Sequence, residues 1–111
     1  MKWVTTGCIA LAFIVAGCSS EPDEEARAQM DGKALFESFC ADCHGKKGEG
    51  KFLHGIPPNR HTEKSVTEVV RQIREGSNHA KHPMPPMPQI TPEEAHKISK
   101  YLIDTLKKQA K

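Results

Sequence analysis

With 111 residues the chain has room for one small domain, and 16 basic against 14 acidic side chains leave a formal net charge of +2. That balance, with no basic patch interleaved with aromatics, excludes nucleic acid from the expected partners. Four cysteines would allow two disulfides, but their positions argue otherwise. Cys8 and Cys18 lie within and at the end of an apolar N-terminal run, and Cys40 and Cys43 share one short motif, so no pair is left to staple the fold.

Met1–Gly17 starts with a basic residue, Lys2, and continues in an apolar run from Cys8 through Val15. The run is too short to span a bilayer comfortably and reads as a secretory signal. Its end, Val15-Ala16-Gly17-Cys18, resembles the lipobox of bacterial lipoproteins. That resemblance implies cleavage before Cys18 and acylation of its sulfur and new amino group, which anchors the chain stably to a membrane. Ser19 stands where an aspartate would resemble the inner-membrane retention signal, which favours the outer membrane. Residues 18–30 are then the lipidated cysteine and a tether. Ser19–Met30 holds four acids and one base and reads as flexible, solvated chain. The competing reading extends the first helix backwards, because Glu24–Gln29 are fair helix formers.

The folded domain is expected over residues 31–111. Asp31 suits an N-cap, and Leu35, Phe36 and Phe39 then share one helical face leading into Cys40. Lys46–Pro58, with three glycines and two prolines, reads as an irregular loop. Ser65-Val66-Thr67-Glu68 fits a capping box, and Val66, Val69, Val70 and Ile73 follow with helical spacing up to a stop at Gly76. Four prolines in Ser77–Ile90 favour extended backbone. Thr91-Pro92-Glu93-Glu94 starts a last helix, whose buried side runs from Ala95 to Leu106. No segment reads as a strand, so the domain is expected to be all-α, with about three main helices.

Cys40-Ala41-Asp42-Cys43-His44 is a C-x-x-C-H run, the spacing of a c-type haem attachment. Two thiols three positions apart close thioether bonds onto the two vinyl groups of one porphyrin edge. The histidine that follows supplies an imidazole to the iron. One covalent haem c is therefore expected, held by Cys40 and Cys43 and ligated by His44. It also staples a domain too small to be secured by its core alone. A redox dithiol expects a βαβ setting, and zinc needs four ligands. Export agrees with this reading, because bacteria attach haem c beyond the inner membrane.

The iron needs a second axial ligand. A thioether suits low-spin iron and raises its potential. Beyond Met30 the methionines are Met84 and Met87, both in the proline-rich segment, where a stiff backbone can hold a weak ligand with little loss of entropy. His82 and His79 are lesser alternatives, and His54, His61 and His96 read as solvated surface.

Asp31–Leu106 thereby resembles the class I cytochromes c, especially the small bacterial monohaem kind. The resemblance rests on Gly32 and Phe36 ahead of the haem motif, Pro57 or Pro58, Met84-Pro85-Pro86, and Glu94 through Tyr101. It implies the small cytochrome c fold, with the first and last helices crossing at Gly32, Phe36 and Tyr101. It implies a loop proline, Pro57 ahead of Pro58, whose carbonyl receives the other nitrogen of His44. It also favours Met84 over Met87, since the family's methionine stands several residues before the last helix. The family's propionate-binding tryptophan has no counterpart here, because Trp3 lies in the signal; Arg60 is a possible substitute.

The expected function is single-electron transfer by a lipid-anchored, periplasm-facing carrier rather than an enzyme. Its expected partners are a redox donor and acceptor, such as a respiratory complex or a terminal oxidase or reductase. From Asp31 onward the chain holds 14 bases and 10 acids, and Lys46, Lys47, Lys51 and Lys81 lie near the presumed haem mouth, a rim that would steer an acidic partner. The rivals are a haem enzyme or gas sensor with a labile sixth ligand, and a permanently docked cytochrome subunit of a respiratory complex.

Overall fold

The computed structural model describes residues 23–78 and 83–111. The expected signal over residues 1–17, the expected anchor Cys18, Lys81, His79 and His82 lie outside the described residues. Three principal helices carry the domain: α2 (Gly32–Phe39), α4 (Val66–Glu75) and α5 (Pro92–Tyr101). Each begins where a side chain takes a backbone N–H that the first turn cannot satisfy. Asp31 accepts from the Ala34 N–H, while Ser65 with Glu68 and Thr91 with Glu94 form complete capping boxes. A single helical turn, α3 (Ala41–His44), follows α2, and α5 widens into a π turn over Leu102–Leu106 before ending in α6 (Lys107–Gln109). Among the described residues there is no strand, only the isolated bridges Lys51–Ile56 and Ser77–Met84. None of the described helices is long and apolar enough to cross a membrane.

The apolar faces of α2, α4 and α5 close on one another. Leu35, Phe36, Val69, Ile73, Ala95, Ile98, Leu102 and Leu106 are buried together with Ile90, from the extended segment before α5. The crossing of α2 and α5 is fixed by a missing side chain. A Cβ on Gly32 would collide with the Lys97 carbonyl oxygen and the Tyr101 Cβ. The backbones therefore touch there, and one turn on the Phe36 and Tyr101 rings meet tilted at 5.7 Å between centroids. Alanine would favour the helix itself by at most about 1 kcal/mol, whereas overpacking against backbone costs about 1–3 kcal/mol or more. The clash should win: Gly32→Ala is expected to lower stability by about 2 kcal/mol in denaturant unfolding, and an unchanged midpoint would contradict this contact.

The expected tether departs from the sequence reading. Glu24–Ala28 forms a short helix, α1, capped by Asp23, and it is tied to the domain. Arg27 reaches Glu94 at the start of α5 with Nη2 to Oε2 at 2.6 Å and Nε to Oε1 at 3.1 Å, donates to the Gln89 carbonyl, and lies 5.0 Å over the Phe39 ring. A bidentate guanidinium–carboxylate pair joining residues 67 apart is invisible to local composition. The ordered structure thus begins before Asp31, as a separate short helix rather than a backward extension of α2, which keeps its own cap at Asp31.

Burial works against charge on Glu94, but hydrogen bonds from the Thr91 N–H and the Arg27 guanidinium outweigh it and hold the carboxyl below its ordinary range. Because the folded-state value is the lower one, this stabilisation is complete above about pH 4.3, the unfolded carboxylate value, and is lost as pH falls through the folded value. Arg27→Ala is expected to cost about 2 kcal/mol at pH 7. The gap between variant and parent should narrow below about pH 4, which paired denaturation curves at the two pH values would check.

Candidate functional site

The helix leading into the C-x-x-C-H run breaks at the motif's first residue. Cys40 closes α2 through its N–H to the Phe36 carbonyl at 2.8 Å, and α3 then turns back so that the His44 N–H meets the Cys40 carbonyl at 2.9 Å. The sequence reading put the whole motif at the end of one helix; the break sends the two thiols to different depths. Cys40 is buried against the core and Cys43 is exposed. Cys40 and His44 both face a cavity of about 250 Å³. Phe36, Val69, Ile73, Ile98 and Leu102 give it an apolar wall.

Met84 lines the same cavity, whereas Met87 does not: its side chain packs on the hydrophobic core and its N–H binds the Ile73 carbonyl at 3.0 Å. The approach of Met84 depends on the end of α4. Gly76 holds φ +78°, and a Cβ there would stand 2.7 Å from the Met84 carbonyl oxygen and 2.8 Å from the Pro86 nitrogen. Glycine therefore supplies both the left-handed turn and the room for the proline segment to pass. The Ser77 N–H then donates to the Met84 carbonyl at 2.9 Å, and Arg74 holds the far end through the Ile90 carbonyl. The proline-rich backbone is thus held near both ends, with Met84 at the cavity wall.

The electrostatics suit metal ligation and oppose dithiol chemistry. Burial lowers the pKa of His44, which favours the neutral imidazole that a metal binds. Burial, with Cys43 adding to it, pushes the Cys40 thiol up to about 12. A thiol held protonated attacks disulfides poorly. Among the described residues no three His, Cys, Asp or Glu side chains gather as a metal cluster. Among the described residues, three buried polar atoms have no hydrogen-bond partner: His44 Nδ1, Asn59 Oδ1 and Arg60 Nε. Two of these residues, His44 and Asn59, line the cavity. The Cys40 thiol, neutral imidazole, thioether, apolar wall and unsatisfied polar atoms fit a covalently held haem, while the exposed Cys43 does not line the cavity.

Pro57 and Pro58 both line the cavity. The hydrogen bond expected from His44 to a loop proline is not made with the ring in this orientation, because Nδ1 is one of the orphaned atoms. His61, read as plain surface, stands exposed at the cavity wall. Lys46, Lys47 and Lys51 are exposed on the loop after His44. Sequence reasoning missed Gln72, which lines the cavity beside Met84, as it missed Asn59, Thr62 and Lys64 on the same lining. The available signal was a glutamine three positions after Val69, on the side of α4 that carries the core.

No curated protein matches this sequence. Among solved structures, the c-type cytochrome XoxG from Methylobacterium extorquens AM1 has a similar fold, with a TM-score of 0.55 over 64% of this chain at 21% identity. The match spans 45% of that protein, so the likeness is one of fold. The sequence profile described as cytochrome C oxidase, cbb3-type, subunit III matches residues 27–102. A small all-α cytochrome c fold with covalent haem c as its cofactor is thereby established, and the chain belongs to that family.

Proposed function

We propose that this chain is a one-electron carrier, held to a membrane through Cys18 and facing the periplasm. The observation that carries the reading is the convergence of Cys40, His44 and Met84 on one largely apolar cavity. Bound haem c supplies reversible exchange of one electron between ferric and ferrous iron. Cys40 and Cys43 fix it covalently, one from the core side and one from the surface. His44 would offer the neutral imidazole to the iron and Met84 its thioether, both from the wall of the same cavity. Pro57, with Pro58 beside it, is assigned to receive the His44 Nδ1–H, which would fix the ring and strengthen the ligand. Arg60, whose buried Nε lacks a partner, is assigned to the propionates.

Exposed Lys46, Lys47 and Lys51, on the loop after His44, would speed encounter with an acidic redox partner, and screening by salt would slow it. The description of the matched family favours a second reading, in which the domain is docked on a respiratory oxidase as a subunit. Potentiometric titration of the mature protein tests the carrier reading. A reversible one-electron curve, with no carbon monoxide adduct in the ferrous state, is expected. Ready binding of carbon monoxide would replace the carrier with an enzyme or gas sensor. An oxidase that stays bound through detergent extraction would favour the docked subunit.

A further inference from the structure

We infer that Gln72 is a positioning residue for the sixth iron ligand, its side-chain amide donating a hydrogen bond to the sulfur of Met84. The inference rests on the assignment of Met84 to the iron. Gln72 Nε2 lies 3.9 Å from Met84 Sδ, a separation suited to the large, soft sulfur acceptor, and both residues line the cavity. The opposite amide orientation would set a carbonyl oxygen against the sulfur lone pairs, which repel it, so the N–H is the group that faces the thioether.

The partner is carried by a fixed frame. Gln72 sits on α4 between Val69 and Ile73, both buried, so its backbone cannot drift relative to the cavity. Met84 is paired through its carbonyl to Ser77, just past the end of the same helix. One element therefore holds both the ligand's backbone and the donor to its side chain.

A thioether sulfur has two lone pairs. If one points to the iron, an N–H on the other restricts rotation about the Cγ–S bond and selects one of the two ways the sulfur can present itself. The same N–H draws electron density from the sulfur. A poorer donor stabilises ferric iron less than ferrous iron, so the bond should raise the potential as well as hold the ligand in place.

The test uses the mature holoprotein with Gln72→Leu, which keeps the bulk and removes the donor, and Gln72→Asn, which keeps the amide on a shorter arm. The readouts are the midpoint potential, the weak red-edge ferric band of an iron–sulfur bond, and the affinity of the ferric protein for added imidazole. Gln72→Leu is expected to bind imidazole about two- to tenfold more tightly, the equilibrium worth of one neutral hydrogen bond, and to lower the potential. Gln72→Asn should fall between it and the parent. A packing role alone would change unfolding stability and leave the three readouts where they were; that result overturns the inference. Should Gln72→Leu fail to take up haem, Gln72→Ala, which also removes the donor, decides, since parent-like values in it would also overturn the inference. Met84→Ala separates the two assignments. A band that survives in it refutes the ligand assignment, whereas its loss there with parent values in Gln72→Leu refutes the role of Gln72 alone.

Discussion

Replacing Cys40 and Cys43 together by alanine is expected to leave a protein from which acidic acetone extracts any haem it contains, and which is largely unfolded when haem-free. A domain of this size seldom gains more than about 3–5 kcal/mol from its core, so losing a covalently fixed group that fills the central cavity leaves little margin. The two single variants should differ because the thiols lie at different depths. Cys43 is exposed, so Cys43→Ala should keep one thioether and a near-native fold. Cys40 packs among core residues, so Cys40→Ala adds a cavity cost on the order of 1 kcal/mol to the lost bond. Haem content after extraction, with circular dichroism of the same samples, would check all three. Haem retained covalently by the double variant would contradict the attachment.

The second large effect is expected at Met84. Met84→Ala should lose the red-edge ferric band, lower the potential, and open the ferrous iron to carbon monoxide. Met87→Ala should keep the spectrum and instead lose about 1–2 kcal/mol of stability, because the half-buried Met87 side chain packs on the core. The distinction follows from backbone pairing. Ser77 fixes Met84 at the cavity, while the Met87 N–H is turned to Ile73 on α4. A spectrum changed only in Met87→Ala would transfer the ligand role three residues along. A spectrum unchanged in both would move it to His82 or His79.

Those two methionines mark where the sequence stops being legible. Helix starts could be read because capping is local: Ser65 with Glu68 and Thr91 with Glu94 complete their boxes within four residues. The haem motif is local too, and the glycine–aromatic crossing at Gly32, Phe36 and Tyr101 is what the resemblance to the class I cytochromes c implied. The choice between Met84 and Met87, by contrast, depends on Gly76 letting one backbone pass another and on a pairing across a proline-rich loop. The ion pair of Arg27 with Glu94 spans most of the domain, so an acidic stretch that reads as solvated chain turns out to be pinned. Gln72 was hidden for a similar reason: its meaning comes from a sulfur brought to it by tertiary structure. The break at Cys40 and the π turn at Leu102–Leu106 leave the hydrophobic period almost unchanged, so no pattern announces them.

The central claim is that His44 and Met84 close both faces of a covalently held haem. The optical spectrum of the mature protein in its ferric and ferrous states, with and without carbon monoxide, tests it most directly. The account predicts a low-spin iron in both states, the weak red-edge ferric band, and no change on adding carbon monoxide. A high-spin spectrum that shifts when carbon monoxide is added would contradict it.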